Sequence, residues 1–200
     1  MRRVLFLRHG HHDRLGRILC GRMPGVSLSE AGHAEARAVA AALVRRFAGE
    51  TVILLSSPQP RTRETAAPLA EALGVGAEVA DELDEIAFGD WTGKAFADLD
   101  GDPAWTAWNA QRGSARPPGG ESMAEVQARV GGLLDRLASE EGSPVVVVSH
   151  GDPIRAALLG VLGLPLDAYD RIVVAPASCS EVELWPGGGR VASINERLAG

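Results

Sequence analysis

Cysteine is scarce in this chain. Its 200 residues hold only Cys20 and Cys179, far apart and without CxxC spacing. Neither a disulfide framework nor a structural zinc knuckle is suggested, and a reducing cytoplasm is the expected compartment. Long apolar runs are missing as well, since no stretch reaches the roughly 18 consecutive apolar residues of a membrane span. Met1-Arg2-Arg3 leads into an apolar run that Arg8 cuts short before any cleavage site, so no export signal is read there. There is also no basic excess. A formal charge of −6 argues against nucleic acid or an anionic membrane as a partner, because both require a positive field or a basic stripe. An anionic ligand must then be caught by a local group of arginines. No internal repeat is visible.

What is present suits one compact α/β domain over residues 1–200, with 46% hydrophobic content to build its core. Arg3 to Leu7 reads as a short buried strand ending at Arg8. Thr51 to Ser57 is a second such strand, stopped by Pro58 and Pro60, and Val145 to Val148 is a third. Between them, Ser29 to Phe47 has helical apolar spacing with Ser29 as its cap, and Arg61 to Leu73 and Ser122 to about Ala138 follow as helices. A helix from about Pro153 to Leu162 precedes two extended segments, near Cys179 to Trp185 and Arg190 to Ile194, joined by a glycine-rich turn. From about 80 to 120 the pattern loosens into an excursion with short helices, of the sort that shapes a pocket. Alternating strands and helices imply a three-layer α/β/α sandwich with a mainly parallel central sheet, whose ligands bind beyond the carboxyl ends of the strands. His9, the Ser56 to Arg61 turn and His150 would share that rim.

LRHGHHD, Leu7 to Asp13, concentrates three of the five histidines. Read as a metal site it offers His9, His11 and Asp13, alternate ligands that could converge on a hydrolytic metal. A binuclear arrangement would want histidine at position 14, where Arg14 stands, and only His33, in a helix and expected to be exposed, and His150 remain elsewhere. Arg8 and Arg61 would also repel a dication. A mononuclear site on His9, His11 and one carboxylate is the remaining metal option. Read as a phosphate site, Arg8-His9-Gly10 sets a guanidinium fork beside a nucleophilic imidazole, with glycine allowing an oxyanion close to the backbone. Arg61, near a helix start that already favours anions, is poorly placed unless an anion arrives. The phosphate reading is preferred, with no metal and no cofactor.

Four segments carry a resemblance: LRHG at 7–10, SSPQPRTRETA at 56–66, ELDEIAFGDWTG at 82–93 and VVVSHGDPIRA at 146–156. In order and rough spacing they resemble the histidine phosphatase superfamily, the phosphoglycerate mutase-like proteins, over nearly the whole chain. GRMPGVSLSEAGHAEA at 21–36 and PGGES at 118–122 are similar to family segments too. The resemblance implies that His9 is the nucleophile and that Arg8, Arg61 and a cationic His150 hold the phosphoryl oxygens. It implies that Glu85, chosen among its acidic neighbours by position relative to FGDWTG, exchanges the proton. After RHG the family usually carries a small hydroxyl residue two positions on and then an asparagine; here His11 and His12 follow. His12, Arg14 or Arg17 could substitute, making the mouth more cationic and favouring a substrate with a second anionic group. The expected function is metal-independent hydrolysis of small phosphorylated metabolites through a phosphohistidine. Phosphoglycerate mutase-type transfer is the alternative, disfavoured because 200 residues leave little room for the mutases' insertions. A non-catalytic phosphate-binding protein is the second alternative. The resemblance also allows a homodimer, and the oligomeric state stays open.

Overall fold

The structure is a computed structural model that describes residues 1–198. Six strands form one sheet in the order β3-β2-β4-β1-β5-β6: β1 (Arg2–Arg8), β2 (Ile53–Ser56), β3 (Ala77–Val79), β4 (Val145–Ser149), β5 (Cys179–Trp185) and β6 (Gly188–Glu196). The first four run parallel, β5 pairs antiparallel with β1, and β6 closes a hairpin on β5. The sheet is thus mainly parallel, as the alternation of strand and helix implied.

The strands are apolar because both faces are covered. Within β1, Leu5 and Leu7 face Val39, Leu43 and Leu69 on one side, whereas Val4 and Phe6 pack with Val126, Val130 and Leu158 on the other. Helices α1 (Glu30–Arg46) and α2 (Pro60–Leu73) form the first layer. Helices α5 (Met123–Ser139) and α6 (Gly151–Leu162) form the second. Ser29 caps α1 by accepting a hydrogen bond from the Gly32 amide, and Ser122 with Glu125 makes a capping box on α5. The excursion holds 3-10 turns at Asp81–Leu83 and Gly89–Trp91 and short helices α3 (Phe96–Leu99) and α4 (Pro103–Ala110). Trp91 and Trp108 are fully buried there and pack with Phe88 and Trp105, so these aromatics are core.

Register places the site. Arg8 lies opposite Ser149, and Ser56 opposite Val148. His9 donates its amide to the Ser149 carbonyl at 3.0 Å, and Ser57 donates its amide to the Val148 carbonyl at 3.0 Å. His9, Ser57 and His150 therefore leave three adjacent strands side by side.

Candidate active site

The loop after β1 is held by α1. The His11 carbonyl accepts from the Ser29 amide at 2.9 Å and the Ser29 hydroxyl at 3.1 Å, and the His11 amide donates to Glu35 at 2.8 Å. Packing is so close that a Cβ on Gly32 would stand 2.0 Å from the His11 oxygen, which explains the glycine in the first turn of α1. His9 is 2% exposed. Its Nδ1 lies 2.8 Å from the Gly10 carbonyl oxygen, an acceptor only, so Nδ1 carries the proton and Nε2 presents a lone pair.

Around that nitrogen lie donors without protein partners. Arg61, 1% exposed, uses Nη2 to donate to the Gly21 carbonyl at 2.8 Å, but its Nε and Nη1 meet no hydrogen-bond partner among the described residues. Arg8 donates Nη1 to the Val174 carbonyl at 2.6 Å and leaves Nε without one. His150 stands at the N-cap position of α6; its ring centroid is 5.2 Å from that of His9, and its Nδ1 also lacks a partner. Buried polar groups are rarely left so. Burial, then the repulsion of Arg61, holds both His9 and His150 well below the ordinary imidazole value, and burial lowers Arg8 and Arg61 as well. An anion would relieve all four, and the amino ends of α2 and α6 add their dipoles.

Arg8, His9 and Arg61 line a cavity of about 140 Å³ with Glu85 at its wall, and His150 packs behind them against His9. Two larger clefts, of about 440 and 810 Å³, gather neither the histidines nor the unpartnered guanidinium groups, so chemistry and not size selects the site. Glu85 Oε2 is 3.9 Å from His150 Nδ1, and burial first, then the Asp152 charge, pushes its carboxyl up to about 7. Arg22 fixes the segment by donating to the Glu85 carbonyl at 2.6 Å and to Glu121 at 2.9 Å, while the Glu121 amide donates to the Ala87 carbonyl at 2.7 Å.

His9, Arg8, Arg61, Glu85 and His150 are thus brought together. His12 joins them: it is buried, its ring lies 5.4 Å from that of His9, and burial with the Arg61 and Arg8 charges lowers it to about 4. Arg14 and Arg17 do not join. Both are exposed; Arg14 donates Nη1 to the Met23 sulfur at 3.0 Å, and Arg17 turns back onto the Asp13 carbonyl. Of the three residues expected to make the mouth more cationic, His12 lines the cavity but is neutral at neutral pH, and the two arginines bond to their own loop and do not line it. The alternate residues His9, His11 and Asp13 diverge, and no group of three His, Cys, Asp or Glu side chains among the described residues is arranged around a metal position. Asp152, Arg155 and Cys20 also line the cavity, and sequence reasoning passed over all three as site residues.

The family model described as histidine phosphatase superfamily (branch 1) matches residues 4–197. This chain belongs to that superfamily. A bifunctional protein of Mycobacterium tuberculosis is 35% identical over 197 residues, which are 97% of this chain and 54% of the relative; the chain spans about half the length of the first such relatives. A glucosyl-3-phosphoglycerate phosphatase of the same organism is 34% identical over 211 residues, covering 98% of this chain and 92% of that protein. Among solved structures, a mycobacterial glucosyl-3-phosphoglycerate phosphatase in complex with inorganic phosphate superposes with a TM-score of 0.87 at 31% identity, covering all of both chains. A phosphoserine phosphatase from Entamoeba histolytica, in complex with 3-phosphoglyceric acid, does so with 0.83 at 26% identity, covering 98% of each. The histidine phosphatase fold accounts for the whole described chain.

Proposed function

We propose that this histidine phosphatase hydrolyses small phosphomonoesters through a phosphohistidine on His9. The observation that carries the reading is the convergence of a bare His9 Nε2 with unpartnered nitrogens of Arg8 and Arg61 on one cavity, with the unpartnered Nδ1 of His150 on the ring packed against His9. In the first step the Nε2 lone pair attacks phosphorus, the ester P–O bond breaks, and the departing oxygen takes the proton held by Glu85. In the second, water attacks the phosphorus, Glu85 as carboxylate takes the water proton, and the P–N bond breaks to restore His9. Arg8, Arg61 and cationic His150 hold the three non-bridging oxygens as charge spreads over them. A carboxyl pushed up to about 7 is matched to this exchange, since it is protonated in a fair share of molecules at neutral pH and ionises readily. A phosphate cradle alone requires neither a bare nucleophile nor that acid, which disfavours the non-catalytic alternative. The names of the relatives support hydrolysis over mutase transfer.

The test is product analysis in EDTA with an aryl phosphate and with 3-phosphoglycerate. Released inorganic phosphate, without an isomerised ester, is expected. An isomerised sugar acid as main product would replace the reading with a mutase, and release only on adding a divalent metal would overturn it.

A further inference from the structure

Resting on the proposed phosphohistidine reaction, we infer that Ser57 and Asp84 form a buried proton-ordering chain that turns His150 Nδ1 to the phosphoryl group and stabilises its imidazolium. Nothing in the family resemblance assigned a part to either residue.

One hydrogen placement satisfies every contact of Ser57. Ser57 is fully buried, with Oγ 2.7 Å from His150 Nε2, 3.4 Å from Asp84 Oδ1 and 3.4 Å from the Gln59 amide nitrogen. A hydroxyl has one proton and two lone pairs. The Gln59 amide can only donate and the Asp84 carboxylate can only accept. Ser57 satisfies both when its proton goes to Asp84 and one lone pair takes the amide, which leaves the second lone pair for His150 Nε2–H. In this placement Nε2 carries a hydrogen, as it also does in the imidazolium. Neutral His150 accordingly has a bare Nδ1, the buried atom found without a partner. A second proton there makes it a donor on the side of Glu85, which lines the cavity, with the first still held by Ser57.

Asp84 is built for the far end of this chain. It is 8% exposed and accepts from the Gln59 side chain at 2.8 Å and the Glu85 amide at 2.8 Å, with Arg22 Nε 3.2 Å from Oδ2. It also sits 4.0 Å from His150 Nε2. One carboxylate thus anchors the histidine through Ser57 and the acid Glu85 through the backbone. Its negative charge counters the cations that oppose the imidazolium, Arg8 at the end of β1, Arg61 on α2 and Arg129 on α5, and the neighbouring ring of His9 opposes a second charge as well. Glu85, 3.9 Å from Nδ1, is the other acid facing the ring. Ser57 and Asp84 are positioning residues, since neither lines the cavity.

The experiment compares wild type, Ser57→Ala, Asp84→Asn and His9→Ala. Aryl phosphate hydrolysis is followed from pH 5 to 9, because its leaving group needs no acid and keeps Glu85 out of the first step. The His150 imidazole is followed by NMR with labelled histidine and saturating inorganic phosphate, a readout that does not depend on turnover. We expect Ser57→Ala to lower kcat/KM about tenfold or more and to move the alkaline limb and the His150 titration down by about one pH unit, with the thermal midpoint little changed. Asp84→Asn, which keeps the shape and loses the charge, should shift both in the same direction, and decides the matter if Ser57→Ala does not fold. Wild-type limbs and titrations in both variants would overturn the chain, as would a loss equal at every pH that tracks a lowered thermal midpoint. Equal turnover by wild type and His9→Ala would instead sink the phosphohistidine reaction, while the NMR titration still decides on Ser57 and Asp84.

Discussion

Replacing Glu85 by glutamine separates its chemistry from its cost to the fold. The carboxyl is pushed from its ordinary value near 4.5 to about 7, first by burial and then by Asp152, with a side chain only 13% exposed. That displacement corresponds to about 3 kcal/mol of preference for the neutral form in the folded protein. Below about pH 4.5 the folded and unfolded chains both hold the proton and Glu85 costs nothing. As pH rises towards 7 the unfolded chain ionises freely and the folded one resists, so the stability is lost through that window. Glutamine has the same shape and no such titration. Glu85→Gln should therefore match wild type near pH 4.5 and exceed it by up to about 3 kcal/mol near pH 8, on the order of 6–12 °C in melting temperature for a domain of this size. His9 and His150 titrate in both proteins and largely cancel. The assay is thermal unfolding from pH 4.5 to 8.5 in phosphate-free buffer, beside kcat/KM for an alkyl phosphate. Activity on that ester should fall about 10²- to 10⁴-fold, with a much smaller loss for an aryl phosphate. A stability gap that stays constant or closes with rising pH would refute the reasoning, and so would equal losses on both esters.

Other consequences follow from named contacts. Gly32→Ala should destabilise by about 3 kcal/mol, since its Cβ would stand 2.0 Å from the His11 backbone oxygen; chemical denaturation checks this, and a loss under about 1 kcal/mol would mean that the loop yields easily. Arg61→Lys should lower kcat/KM at least tenfold at nearly unchanged melting temperature, because a single ammonium cannot both hold the Gly21 carbonyl and present two nitrogens to phosphate; wild-type kinetics would contradict it. Arg14→Ala and Arg17→Ala should leave KM for singly and doubly anionic phosphate esters within about twofold, as both guanidinium groups lie outside the cavity; a selective rise for the doubly charged ester would show that they swing in.

The β-strands that build the rim were legible because each is a short apolar run buried on both faces: VLFL, ILLS and VVVV each end where a site residue begins. β3 was not. Ala77–Val79 is three residues long and exposed, and it holds its place by pairing with β2, a non-local contact that leaves no hydrophobic signature. Ser29 marked the start of α1 correctly because a cap is a local hydrogen bond. Glu85 could be chosen among five nearby acids only by family position, since burial and the Asp152 charge, which set its proton affinity, come from elements far away in sequence. The same holds for Ser57 and Asp84: a serine in a turn and an aspartate in an acidic run look solvated until register places them beside His150. Arg14 and Arg17 show the converse, as charge near the motif suggested the mouth and local loop contacts turned it aside.

The central claim is that phosphorus passes through His9. Wild type and His9→Ala would be mixed with a labelled phosphomonoester in EDTA, quenched within milliseconds to seconds, and examined for phosphate on the protein that is labile to acid and stable to base. Label on wild type that turns over with released phosphate, and none on the variant, is the expected result. Undiminished release with no label on either protein would contradict the account.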